Sequence, residues 1–337
     1  MLNLSLIRIY INRSHLILNK AFMSKKFYET NHINLYSPYK EVEIPVPWGH
    51  IAGKLWNNDL KSKKVLCVHG WLDNANSFDP LISLLPQNIT FLAIDLSGHG
   101  KSSHLPNGSQ YYFTNWIFEL ARVIKFMKWD HENEKISLIG HSMGAGVCLL
   151  YASLFADKIE KCVSLDVVAP YNYPVDKCYD ILQQSLKMNF IYENDPDIGD
   201  KPYTYDNAIK RLLEFQSLNE KSAKIMLQRG MTQNIDDANT YKMNRDIRLH
   251  YKTPMYFSDD HWKLFLNKLK CPTYVILGKN SHIKGEIISE AKYIEYESLL
   301  KKILGSKFLM KEYPGTHHLH MNTPELIAQS ITQFLTS

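Results

Sequence analysis

Ile136-Ser137-Leu138-Ile139-Gly140-His141-Ser142-Met143-Gly144-Ala145-Gly146 is an apolar run, a G-x-S-x-G turn and the start of a small-residue segment. Apolar residues without alternation mark a strand buried on both faces. The small and apolar residues that follow, to about Ala156, fit a helix lying close against its neighbours. A serine on so sharp a strand-to-helix turn sits in a strained backbone conformation that lifts its Oγ above the sheet. Gly140 and Gly144 omit the Cβ atoms for which such a turn has no room. The helix start also offers unpaired N–H groups where an oxyanion would form. G-x-S-x-G arises often by chance, so its surroundings decide.

The same rhythm recurs on both sides. Short continuous apolar runs occupy 65–68, 91–94, 136–139, 162–165, 274–277 and 307–310, as parallel strands covered by helices would. Segments 41–46 and 50–56 alternate weakly around Pro47-Trp48-Gly49, which predicts an antiparallel opening pair. Helices are predicted after Asp79-Pro80 and over 115–128 and 143–156. Between about 169 and 262 no strand-like run appears. Helical stretches at 207–215 and 217–229, the second closed by Gly230, take its place. The expected fold is therefore α/β: a mostly parallel eight-stranded sheet with helices on both faces. Residues 29–169 and 263–337 form its core. A helical cap, or lid, over 170–262 is inserted after the sixth strand, above the strand ends where open α/β sheets bind ligands.

Composition narrows the function. Of 337 residues, 45% are hydrophobic and 22% charged, which excludes a disordered chain. The 39 Lys and Arg against 34 Asp and Glu are scattered, so no nucleic-acid partner is expected. Cys67, Cys148, Cys162 and Cys271 sit in or beside apolar runs and read as reduced, buried thiols. No metal is expected, because no Cys/His set has zinc spacing. No cofactor is expected either, since no glycine-rich loop could cradle a phosphate. Residues 1–28 lack any acid and carry Arg8, Arg13, Lys20, Lys25 and Lys26. They fit a leader, either a targeting segment or a disordered one, with Met23 as another possible start. Arg8 and Arg13 break its apolar run, so no integral membrane segment is expected. The expected location is cytoplasmic, with a mitochondrial alternative.

The remaining chemistry follows from Ser142 as nucleophile. His69-Gly70-Trp71 comes directly after a strand, so the main-chain N–H groups of Trp71 and Met143 are the expected oxyanion hole. The general base should lie on a late loop, and His317, two residues after Gly315, is best placed. His318 and His320 read as packing, and His69, Asp95 and His99 as structural. The third member breaks the usual pattern. Where many such enzymes carry Gly-x-x-Asp, this chain has Gly278-Lys279-Asn280-Ser281. Asp166, ending the strand beside the nucleophile strand, is the expected acid, with Glu286 as the alternative.

HGWLDNANSFD (69–79), IDLSGHGKSS (94–103), IGHSMGAG (139–146), LDVVAP (165–170), NRDIRL (244–249) and GTHHLHMNTPE (315–325) together resemble the serine hydrolase-like group of the α/β-hydrolase superfamily. The resemblance runs from about Val42 to the C-terminus. It implies a Ser-His-Asp hydrolase under a helical lid, acting on a small-molecule, ester-like substrate. Some relatives, certain small esterases and haloalkane dehalogenases among them, place the acid at the position of Asp166. Alkyl-enzyme chemistry is excluded, because it needs a carboxylate where Ser142 stands. The same triad would also serve a C–C bond hydrolase or a cofactor-free haloperoxidase. The rival from another class is a non-catalytic ligand receptor, favoured by the missing acid at Ser281. Phe190, Tyr192, Tyr203, Tyr205, Met226, Met231, Tyr256 and Phe257 in the insertion read mostly as core packing.

Overall fold

A computed structural model describes residues 30–32 and 38–337, apart from 60, 132–133, 170–174, 196–197, 199–200 and 252–256. The expected leader at 1–28 and Tyr256 lie outside the described residues. The strands in chain order are β1 (Thr30–His32), β2 (Tyr39–Val46), β3 (Gly49–Trp56), β4 (Lys64–Val68), β5 (Thr90–Ile94), β6 (Ile136–His141), β7 (Ile159–Leu165), β8 (Met231–Gln233), β9 (Tyr241–Met243), β10 (Thr273–Gly278) and β11 (Phe308–Tyr313). One sheet runs β1-β2-β3-β5-β4-β6-β7-β10-β11. Pairing is parallel from β5 through β11 and antiparallel from β1 through β3 to β5. The eight expected strands are all present, and the three-residue β1 extends one edge. β8 and β9 pair apart from this sheet, a small hairpin that apolar periodicity does not announce.

The continuous apolarity of the central strands has a direct packing cause. Along β4, Leu66 and Val68 enter one core cluster while Val65 and Cys67 enter another. Along β5, Leu92 and Ile94 part from Phe91 and Ala93 in the same way. Successive side chains point to opposite faces, and both faces are covered, so neither can be polar. Edge strand β11 is the contrast: its Lys311 and Glu312 are exposed, as an unpaired edge tolerates.

The longer helices are α1 (Phe113–Phe126), α2 (Met143–Leu154), α3 (Cys178–Asn194), α4 (Tyr205–Phe215), α5 (Glu220–Gly230), α6 (Asp259–Leu266), α7 (Glu290–Leu304) and α8 (Glu325–Thr336), of which α3 to α6 lie between β7 and β10. α2 is buried from Gly144 to Ser153, which explains its small residues. The expected boundary at 262 falls inside α6, whose Trp262 and Leu266 join the main core. Cys67, Cys148, Cys162 and Cys271 are free thiols, and all four are buried. Among the described residues no helix is long and apolar enough to cross a membrane.

The segment between β7 and β10 is pinned to the core by polar contacts. Arg229 of α5 donates from Nε to Asp95 at 2.7 Å and from Nη1 to Glu41 at 2.6 Å, with Arg229 and Asp95 both buried. Asp95 also accepts the Ala75 and Lys101 N–H groups at 2.7 and 2.8 Å, which gives it the expected structural role. Arg229→Met would strand a buried carboxylate, and we expect it to lower unfolding stability by about 3–5 kcal/mol. Urea titration checks this; a loss below ~1 kcal/mol would mean that the pin carries little.

Glu119 of α1 is fully buried and accepts the Ser97 N–H at 2.9 Å. Burial lifts its carboxyl to about 7, against the pull of that hydrogen bond. The folded state therefore holds the proton more tightly than the unfolded chain, and stability falls as pH rises from about 4.5 to 7. Glu119→Gln is expected to remove this loss. It should be more stable than wild type at pH 8 by on the order of 3 kcal/mol, and nearly equal at pH 4.5. Parallel stability curves for the two proteins would refute the assignment.

Candidate active site

Ser142 stands between β6 and α2 with φ 51° and ψ −118°, a backbone conformation that L residues rarely adopt. The turn admits only glycine on either side. A Cβ on Gly140 would lie 2.4 Å from the Gly144 oxygen, and one on Gly144 would lie 2.1 Å from the Val68 oxygen. Ser142 N–H donates to the Leu165 carbonyl at 3.0 Å, which ties the turn to β7, the next strand of the sheet.

That neighbour ends in Asp166, also at positive φ (62°) and buried. His317 Nδ1 lies 2.6 Å from Asp166 Oδ2. Gly278 N–H donates to Oδ1 at 2.7 Å, and the Ser281 hydroxyl donates to Oδ2. Serine at 281 thus does not leave the site without an acid: it hydrogen-bonds the carboxylate that comes from the adjoining strand. The side chain of Glu286 lies outside the described residues.

With Nδ1 committed to Asp166, Nε2 is the imidazole nitrogen left for the cavity. Ser142, His317, Trp71 and Met143 all line one cavity of about 820 Å³. Met143 opens α2, where N–H groups have no acceptor within the helix. Trp71 is anchored by its indole N–H, which donates to the Leu249 carbonyl at 2.8 Å. From the segment between β7 and β10, Arg211, Leu212, Phe215 and Tyr192 also line the cavity. Among the described residues, Tyr192 is the one insertion aromatic from the sequence reading that lines it. Met226 and Met231 are core instead, packed with Tyr203 and Tyr205 beside them.

A group of imidazoles lies behind the nucleophile. His141 Nδ1 is 3.0 Å from Asp73 Oδ2, and its Nε2 is 3.1 Å from the His317 carbonyl. His318 Nε2 is 3.2 Å from the other Asp73 oxygen. Burial lowers His141 to about 4, opposed by its hydrogen bond to Asp73. Asp73 is held well below the usual carboxylate range by its two histidines, which outweigh burial. His141 therefore links the strand bearing Ser142 to the loop bearing His317. Asp73, His141 and His318 bring ligand atoms within 4.8 Å of one another, a set a divalent ion can use. Their mutual hydrogen bonds already account for the grouping. His318 takes a polar partner beyond the packing expected of it. His320 packs, 4.2 Å from His141 and 5.6 Å from Phe78 between ring centroids. His69 accepts the Leu96 N–H at 3.0 Å, and His99 is buried beside it at 4.8 Å, both in structural positions.

The doubly covered sheet, the strained serine and the cavity above the strand ends define the class. The chain belongs to the α/β hydrolase fold family, whose model matches residues 63–324. It falls within the serine hydrolase-like group. The zebrafish (Danio rerio) serine hydrolase-like protein is 31% identical over 94% of this chain and 93% of its own. Human (Homo sapiens) serine hydrolase-like protein 2 is 34% identical over 88% of this chain and 93% of its own. A hypothetical protein from Pseudomonas aeruginosa PAO1, solved by crystallography, superposes with a TM-score of 0.73 at 27% identity. That match covers 88% of this chain and 97% of the other. The protein is a hydrolase.

Proposed function

We propose that this hydrolase cleaves carboxylic-ester-type bonds through Ser142, His317 and Asp166, by way of an acyl-enzyme. Ser142 Oγ attacks the carbonyl carbon while His317 Nε2 takes its proton and then delivers it to the departing alkoxide. Water then enters, gives a proton to His317, attacks the acyl carbon and releases the acid as the Oγ is reprotonated. Asp166 orients the imidazole and stabilises its charged form. The N–H groups of Trp71 and Met143 are the donors for the oxyanion, and residues 170–262 act as the lid. The observation that carries the reading is the 2.6 Å contact between His317 Nδ1 and Asp166, with Ser142 on the same cavity wall.

The test is covalent labelling with a fluorophosphonate, mapped by peptide mass spectrometry. A single adduct on Ser142, together with turnover of p-nitrophenyl esters, supports the proposal. A folded protein that takes no label refutes it.

A further inference from the structure

The cavity wall carries positive charge that the mechanism does not use. Arg211 of α4, and Arg245 and His250 after β9, line the cavity with Ser142 and His317. Arg248 lines it too, but its guanidinium is spent on Asp246, at 2.6 Å, and on the carbonyls of Leu105, Pro106 and Ser109. Among the described residues the arginine ion pairs are those of Arg229 and Arg248. Arg211 lies over the Phe215 ring at 5.3 Å and has no acid there. The one carboxylate on the described wall, Asp73, is already held by His141 and His318.

The two guanidiniums feel each other. Burial, followed by the charge of Arg211, brings Arg245 down to about 10. Burial, then Arg245 and Arg211, pushes His250 down to about 4. Beside them Gln216 buries a carboxamide oxygen with no hydrogen-bond partner among the described residues. A half turn of that group would present NH2 instead. Like charges kept close and partly desolvated, without a counter-charge, are costly unless a ligand supplies one.

We propose that Arg211 and Arg245 bind an oxyanion on the substrate, a carboxylate or phosphate remote from the scissile carbonyl. Planar guanidinium forks suit such groups by paired N–H donation. Its natural substrates are then acidic esters, such as half-esters of dicarboxylic acids. This rests on Ser142 being the nucleophile of the same cavity.

The full chain is assayed on mono-p-nitrophenyl glutarate and on p-nitrophenyl valerate, which is of similar length but neutral. Wild type should favour the acidic ester by about 10- to 100-fold in kcat/KM. Arg211→Gln and Arg245→Gln should each cut that ratio by about tenfold, mainly through KM, with Arg245→Lys recovering part. Fluorophosphonate labelling of each variant reports whether its site has folded. Calorimetry with glutarate and with methyl phosphate reads the anion site without any reaction; tighter binding of one tells carboxylate from phosphate. Glutarate or methyl phosphate binding that both Arg→Gln variants lose supports the proposal even if no ester is turned over. A wild-type ratio near one with no binding of either anion overturns it and leaves Ser142-dependent ester cleavage standing. Loss of Ser142 labelling with anion binding intact would instead refute the esterase reading alone.

Discussion

Ser142→Ala is expected to lower kcat/KM on p-nitrophenyl esters by on the order of 10⁴-fold or more and to abolish fluorophosphonate labelling. The geometry explains the size of the effect. Ser142 is the hydroxyl held at the strained turn, between glycines that no other residue can replace without a clash. Removing Oγ deletes the bond-forming atom itself, while the N–H groups of Trp71 and Met143 stay to support a small residual rate. Alanine carries the same Cβ as serine, so the fold should persist, and circular dichroism and the melting temperature should match wild type. Retained activity in a folded Ser142→Ala protein would refute the nucleophile assignment.

Asp166→Asn should cost about 10³- to 10⁴-fold in kcat. Both oxygens of Asp166 face donors: Gly278 N–H at Oδ1, and His317 Nδ1 with the Ser281 hydroxyl at Oδ2. An amide turned either way sets its NH2 against a donor. It must then displace the Gly278 contact or force His317 into the wrong tautomer. Asparagine tolerates the positive φ of this position, so the backbone need not change. Ser281→Ala removes an accessory donor to Asp166 and the acceptor of the Ile283 N–H, and should cost about tenfold or less. Ser281 and His317 meet the same Asp166 oxygen, so adding Ser281→Asp to Asp166→Asn should restore part of the rate. Full activity in Asp166→Asn would move the acid role elsewhere.

Much of the site is local chemistry and therefore legible along the chain. Ser142 is announced by glycines two residues away on each side, and the eight strands by unbroken apolar runs. Asp166 could be named because strand order in a doubly wound sheet sets β7 beside β6. His317 could be named because the late loop belongs over the same strand ends. The role of Ser281 could not. Its hydroxyl donates to a carboxylate 115 positions earlier, a partner that no nearby residue announces.

Sequence by itself determined the layered fold, the tight serine turn and the loops that surround it. Periodicity and tight turns are written within a few residues, and apolar burial needs no particular partner. Tertiary structure alone decided the polar contacts. Arg229 meets Glu41 across 188 positions, and His318 meets Asp73 across 245. Arg211 and Arg245 become neighbours only when α4 and the loop after β9 face one cavity. A charged side chain carries no periodic mark of its partner. Its neighbours are set by how buried surfaces pack, and that packing sets whether it pins the fold or waits for a ligand.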